Sequence, residues 1–232
     1  MIREKRYGEV TRFDLARNLG GRGWYWTTCY VVDGLAIDTG CARTAGELRA
    51  SLSGVPVDTI VSTHSHEDHI GGNGPLQRER PRIEVRAHPL ALAVLEDPRR
   101  LGMEAYRRLA WGVPEPCRAR ALLEGQVVRT PRYSFQVLET PGHARDHLCL
   151  FEPDQGWLFS GDLYVGGRDR ALREEYDVRA ILASLKRVAA LPVRMLFPGA
   201  ARVPHDPRAA LREKIDYLER LGERIEGLAA DA

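Results

Sequence analysis

Lysine is almost missing from this chain of 232 residues. Lys5, Lys186 and Lys214 stand against a basic total of 34, so the cations are nearly all arginine. A GC-rich genome and adaptation to heat both produce that bias, and both readings stay open. Excess charge is missing too. A net charge of +2 is too small to argue for a nucleic acid or a membrane surface as partner. No apolar run is long enough to span a bilayer. The opening Met1-Ile2-Arg3-Glu4-Lys5-Arg6 is charged and no apolar stretch follows it, so no secretory leader is expected. The four cysteines (Cys29, Cys41, Cys117 and Cys149) are scattered without Cys-x-x-Cys spacing. That pattern reads as a reduced, cytoplasmic protein with packed thiols. No Ser/Gly run, proline tract or charge block marks a linker, so a single domain over 1–232 is expected. The length suffices for one αβ domain with a sizeable core.

What is present is concentrated. Thr63-His64-Ser65-His66-Glu67-Asp68-His69-Ile70-Gly71-Gly72 places three histidines and an aspartate within six residues, directly after the apolar Thr59-Ile60-Val61. Imidazole and carboxylate together suit divalent ions such as zinc. On a chain leaving a strand extended, His64 and His66 point the same way and can grip one ion. Asp68 and His69 follow once the chain turns and can reach a neighbouring ion. Gly71 and Gly72 let the backbone fold tightly against the site.

His64-x-His66-x-Asp68-His69 resembles the signature of the metallo-β-lactamase superfamily of hydrolases. Ala36-Ile37-Asp38-Thr39-Gly40 resembles its strand-ending Asp-Thr-Gly. Thr140-Pro141-Gly142-His143 resembles its third histidine motif, and Phe159-Ser160-Gly161-Asp162 the motif with its bridging aspartate. The resemblance implies an α+β fold: a four-layer αββα sandwich of two mixed β-sheets with helices outside and ligands on loops at one sheet edge. It implies His64, His66 and His143 at a first metal, Asp68 and His69 beside a second, and Asp162 between them. The implied cofactor is zinc, one or two ions, with iron or manganese as alternatives. One piece departs. The family usually carries Pro-Gly-His near the C-terminus, whereas this chain reads Pro198-Gly199-Ala200. Alanine ligates nothing. His205 lies five residues on and is a candidate substitute, although Pro204 and Pro207 stiffen that stretch.

Other residues carry weaker expectations. Asp68 can accept a proton from the nucleophile or hand one to the leaving group. Tyr164 could stabilise an oxyanion, as a tyrosine in a nearby position does in the family's lactonases; packing is the plain alternative. Asp38 is expected to hold a metal-bound imidazole by its other N–H. His147 reads either as a neighbour of the ligands and substrate or as a structural histidine. Cys41 and His88 read as packed residues. Trp24, Tyr25 and Trp26 sit among glycines and read as an apolar wall on a loop or as a hairpin corner.

Strands are expected over 8–15, 27–37, 58–62, 83–87, 126–129, 133–139, 148–152, 157–160 and 193–197. Helices are expected over 43–52, 89–96, 101–111, 178–191 and 207–229, with Asp206 as the last cap. The helix over 101–111 is a candidate lid. The expected activity is hydrolysis of a small ester, thioester or lactone by a metal-bound hydroxide, because three neutral imidazoles leave a position for water whose pKa the ion lowers. A mononuclear iron persulfide dioxygenase and a degenerate metal-binding non-enzyme are the alternatives. A small molecule is the expected partner, with a homodimer implied by the resemblance alone.

Overall fold

Cys29, Tyr30, Val31 and Val32 are four consecutive residues, and all four are buried. Side chains alternate between the faces of a strand, so this run needs a core on both sides. It has two. Cys29 and Val31 join one apolar cluster, and Tyr30 and Val32 another.

The computed structural model describes residues 1–168 and 176–230. Its first sheet has the order β1 to β7. β1 (Ile2–Tyr7), β2 (Val10–Leu19), β3 (Arg22–Val32) and β4 (Gly34–Ile37) pair antiparallel. β5 (Val57–Val61), β6 (Glu84–Ala87) and β7 (Ala119–Ala121) then add parallel to β4. The parallel joins need crossovers, and short helices supply them: α1 (Ala45–Ser51), α2 (Glu67–Ile70), α3 (Asn73–Glu79), α4 (Leu92–Glu96) and α5 (Ala105–Trp111). The second sheet comprises β8 (Val127–Arg129), β9 (Ser134–Glu139), β10 (Leu148–Glu152), β11 (Trp157–Gly161) and β12 (Met195–Pro198), in the order β12-β11-β10-β9-β8. Only β11 and β12 pair parallel there, and α6 (Val178–Ala189) makes that crossover. α7 (Pro207–Ala230) follows.

Three cores separate four layers. Leu48 of α1, Leu76 of α3 and Leu95 pack on one face of the first sheet. Ile37, Val61, Phe135, Leu148, Leu150 and Phe159 fill the space between the sheets. Cys149, Phe151 and Leu158, from the opposite face of the same strands, meet Ile181, Leu185 and Val188 of α6 and Leu211 and Leu218 of α7. Aspartates cap both long helices: Asp177 accepts from Ala180 N–H, and Asp206 from Ala209 N–H, each at 2.9 Å. The arrangement is the expected αββα sandwich of two mixed sheets.

Some details differ from expectation. β1 was not expected, because Arg3, Glu4, Lys5 and Arg6 hide a strand that lies exposed at the sheet edge. Trp24, Tyr25 and Trp26 lie on β3 rather than in a loop. The helix over 101–111 is shorter, because Gly102 adopts φ +58° and ends a 3-10 turn before α5 begins. No described helix is long and apolar enough to cross a membrane.

Candidate metal centre

β5 ends at Val61 and delivers the histidine loop, which the Asp38-Thr39-Gly40 turn grips from beside it. Asp38 N–H bonds Val61 O, Thr39 N–H bonds His69 O, and Gly71 N–H bonds Gly40 O at 2.7 Å. A Cβ on Gly71 would sit 2.1 Å from Ala42 N, so only glycine permits this approach. The second sheet meets the same loop. Leu148 N–H donates to Thr63 O at 2.7 Å, and Ser65 N–H donates to Asp146 Oδ2 at 3.0 Å.

These contacts bring together imidazoles separated by up to 79 residues of chain between His64 and His143. His64 Nε2 lies 3.0 Å from His66 Nδ1, and His143 Nε2 lies 3.1 Å from that same nitrogen. Three nitrogens bonded to one tetrahedral zinc at 2.0–2.1 Å would be about 3.3 Å apart, so these three need only slight spreading. His64, His69 and Asp162 form a second donor group, sharing His64 with the first. Asp162 Oδ2 lies 3.4 Å from His69 Nε2 and 3.5 Å from His143 Nε2. It therefore sits between the two groups. His69 Nε2 and Asp162 Oδ1 are buried without a hydrogen-bond partner. Such orphans are rare, and both belong to residues of the second group, where an ion would give them a partner.

The donors are held in the form that a metal needs. Asp38 Oδ2 accepts from His69 Nδ1 at 2.8 Å and from Thr63 Oγ1 at 2.8 Å, and Thr63 N–H donates to Asp38 Oδ1 at 2.7 Å. Because Thr63 gives its proton to Asp38, it accepts from His64 Nδ1 at 3.0 Å. Both rings thus carry Nδ1–H, which leaves Nε2 of each aimed at the centre. His147 is set likewise. Asp162 N–H donates to His147 Nε2 at 3.1 Å, and His147 Nδ1 donates to Thr140 Oγ1 at 2.8 Å.

Electrostatics call for a cation. Burial, then neighbouring imidazoles, push His64 and His66 well below the usual histidine range. Burial and His143 lower His147 to about 3. Burial also opposes charge on His69, but the carboxylates of Asp162, Asp38 and Asp68 outweigh it and raise that group. Burial would raise Asp162 as well, yet His69, His143 and His147 hold it below its ordinary value. Asp68 rises to about 6, through burial and the nearby Asp162 and Glu67 against the pull of His69. Its carboxylate is 21% exposed, 4.0 Å from His69 Nε2. The nitrogen and oxygen donors fit zinc, iron or manganese.

The family model of the metallo-beta-lactamase superfamily matches residues 23–200. The chain belongs to that superfamily. Within it, the hydroxyacylglutathione hydrolase of Stenotrophomonas maltophilia is 32% identical over 71% of this chain and 55% of its own length. The atrochrysone carboxyl ACP thioesterase of Aspergillus fumigatus is 26% identical over 82% of this chain and 54% of its own. The chain spans about half the length of these curated relatives. The structure of TTHA1623 in a di-iron-bound form superposes with a TM-score of 0.62 at 30% identity, covering 83% of this chain and 94% of that one.

Two of the weaker candidates, Tyr164 and His205, lie away from the donor groups. Tyr164 is 6% exposed and packs in the outer core with α6 and α7, because the turn after Gly161 carries it and Leu163 inward. The tyrosine at the centre is Tyr176, whose ring lies 4.6 Å from that of His143. His205 is exposed just before α7 and belongs to neither donor group. Ala200 carries no donor, although Gly199 beside it is so close that a Cβ there would meet Asp162 Oδ1 at 2.5 Å. His147 is buried beneath Asp162 rather than at a substrate edge. His88 Nδ1 accepts from Leu90 N–H. Tyr25 is half exposed and rests on Trp111 with ring centroids 5.0 Å apart. Arg107 stands in no motif and was not among the expected site residues. From α5 it forms two bonds, 2.7 and 2.8 Å, to Glu67 inside the histidine motif.

Proposed function

We propose that this chain is a metal-dependent hydrolase of a small thioester, ester or lactone, with thioester placed first and zinc as the first metal. The observation that carries the reading is the pair of donor groups sharing His64, with Asp162 between them and His69 Nε2 left orphaned. The names of two relatives, a thioesterase and a hydroxyacylglutathione hydrolase, support the substrate order. Ions held there would acidify water and polarise the oxygens of the scissile group.

The chain's own groups supply the remainder. Asp38 and Thr63 fix the tautomers of His64 and His69, so neither ring has to turn over to present Nε2. Asp162 draws the two donor groups together. Asp68, raised to about 6 and partly exposed, can release or take a proton at its carboxylate near neutral pH.

A second reading has one observation in its favour. The TTHA1623 structure is named as di-iron-bound, and His64, His143 and Asp162 would be the two histidines and one carboxylate that suit ferrous iron. An iron persulfide dioxygenase would use that set.

Elemental analysis of protein purified without chelator or added metal, followed by thiol release from a thioester panel, tests the proposal. The expected result is bound zinc and turnover that His66→Ala abolishes while the far-ultraviolet spectrum persists. Bound iron with oxygen uptake on a persulfide would put the second reading first. Metal binding without turnover on either panel would leave a degenerate binder.

A further inference from the structure

A cleft of about 370 Å3 opens beside the first donor group. His66 and His143 form one side of it, Leu90 and Ala144 supply apolar wall, and Arg145 stands at the rim. Leu90 is 57% exposed, so the apolar wall continues outward as a lip.

Arg145 owes its position to a turn. His147 N–H bonds Ala144 O, which places Arg145 and Asp146 at the two central positions. The turn sends these neighbours opposite ways. Asp146 is 6% exposed, and its Oδ2 is committed to Ser65 N–H. Arg145 is exposed and makes no hydrogen bond or ion pair among the described residues. Many other arginines of this chain have carboxylate partners: Arg12 with Asp14, Arg49 with Glu79, Arg99 with Asp97, Arg132 with Asp33 and Arg187 with Glu124. Two residues span at most about 7 Å of chain, so the Arg145 backbone stays near that of His143. A guanidinium fork binds an oxyanion through paired N–H groups.

We infer that Arg145 is a specificity-determining residue that selects substrates carrying an anionic group, a carboxylate or a phosphate, on the arm lying across Leu90 and Ala144. This deepens the hydrolase reading and rests on it for the reaction, but not for binding. The scissile group faces His66 and His143, the apolar part of the arm covers the cleft wall, and the anion meets the guanidinium at the rim. Neutral thioesters fit the wall and lack the last contact.

Acetyl thioesters of 2-mercaptoethanol, 3-mercaptopropionate and 2-mercaptoethyl phosphate supply matched neutral, carboxylate and phosphate arms. The metal-loaded wild-type enzyme should favour an anionic ester over the neutral one in kcat/KM by about tenfold, the low end for one charge-assisted hydrogen bond at a wet rim. That ratio should fall toward one in Arg145→Ala, drop below one in Arg145→Glu, and be partly retained in Arg145→Lys. Raising the salt should compress it in the wild type. Whichever anion gives the larger ratio names the arm. Dissociation constants of the product thiols 3-mercaptopropionate and 2-mercaptoethanol, measured on the same proteins, give the ratio without turnover. An anion preference equal in wild type, Arg145→Ala and Arg145→Glu overturns the proposal. If no thioester is hydrolysed, the hydrolase reading fails, and the thiol-binding ratio still decides the role of Arg145.

Discussion

Replacing Arg107 by alanine strands a carboxylate. Glu67 is 1% exposed at its side chain and receives both of its charged contacts from Arg107, at 2.7 and 2.8 Å. Removing one partner of a buried pair costs about 3–5 kcal/mol, because the other charge stays buried without compensation. For a chain of this size each kcal/mol moves the melting temperature by about 2–4 °C, so Arg107→Ala should melt about 6–20 °C lower. The reverse deletion should be milder. The Arg107 side chain is 15% exposed and can turn toward water, so Glu67→Gln should cost about 1–3 kcal/mol, the scale of lost charge-assisted hydrogen bonds. The double variant Glu67→Gln/Arg107→Ala should be more stable than Arg107→Ala alone. Denaturant unfolding of the metal-stripped proteins, followed by circular dichroism, measures all four corners of this cycle. Two outcomes refute the reasoning: an Arg107→Ala loss under 1 kcal/mol, or a double variant no better than the single.

His147 gives a pH prediction. Its folded-state pKa of about 3 lies below the ordinary 6.5 of an unfolded histidine, so its contribution is present above pH 6.5 and is lost as pH falls toward 3. At pH 5 that loss is about 2 kcal/mol, and His147→Gln should show a stability curve between pH 7 and 5 shallower by that amount; parallel curves would contradict it. Asp38→Asn should weaken metal binding about 10–100-fold in chelator competition, since Asp38 orders both His64 and His69; unchanged affinity would remove Asp38 from that role. Gly71→Ala should yield little folded protein, because the added Cβ meets the backbone at Ala42 N and Cys41 C at 2.1 and 2.2 Å; a wild-type melting curve would show that this loop can shift.

The legible part of the centre was local. His64 and His66 sit on one extended stretch whose side-chain direction follows from strand geometry, and the nitrogens do converge. Asp38 was legible as a carboxylate at a strand end, placed to take an imidazole N–H. The rest depended on distance. Arg107 reaches Glu67 across 40 residues, and no periodicity in α5 points to that partner. Tyr176 reaches His143 only because the second sheet turns the chain back. Tyr164 failed as a site residue because proximity to Asp162 in sequence says nothing about the turn between them. For the fold, apolar runs marked strands buried on both faces, whereas β1 stayed hidden because an edge strand needs little apolar surface.

The donor groups straddle the seam between the two sheets. His64, His66 and His69 leave from β5 of the first sheet, while His143 and Asp162 follow β9 and β11 of the second. The seam is already stitched there by Leu148 N–H on Thr63 O, and by the Thr28 and Tyr30 hydroxyls on the Gly199 and Pro198 carbonyls. An ion at this place is a rivet through both plates. A half-folded chain with a single sheet formed has no complete seat for it, so loading reports that the halves have docked. By mass action the free-energy gain on loading adds wholly to the docked state. The stability of the fold is therefore tied to the supply of metal around it.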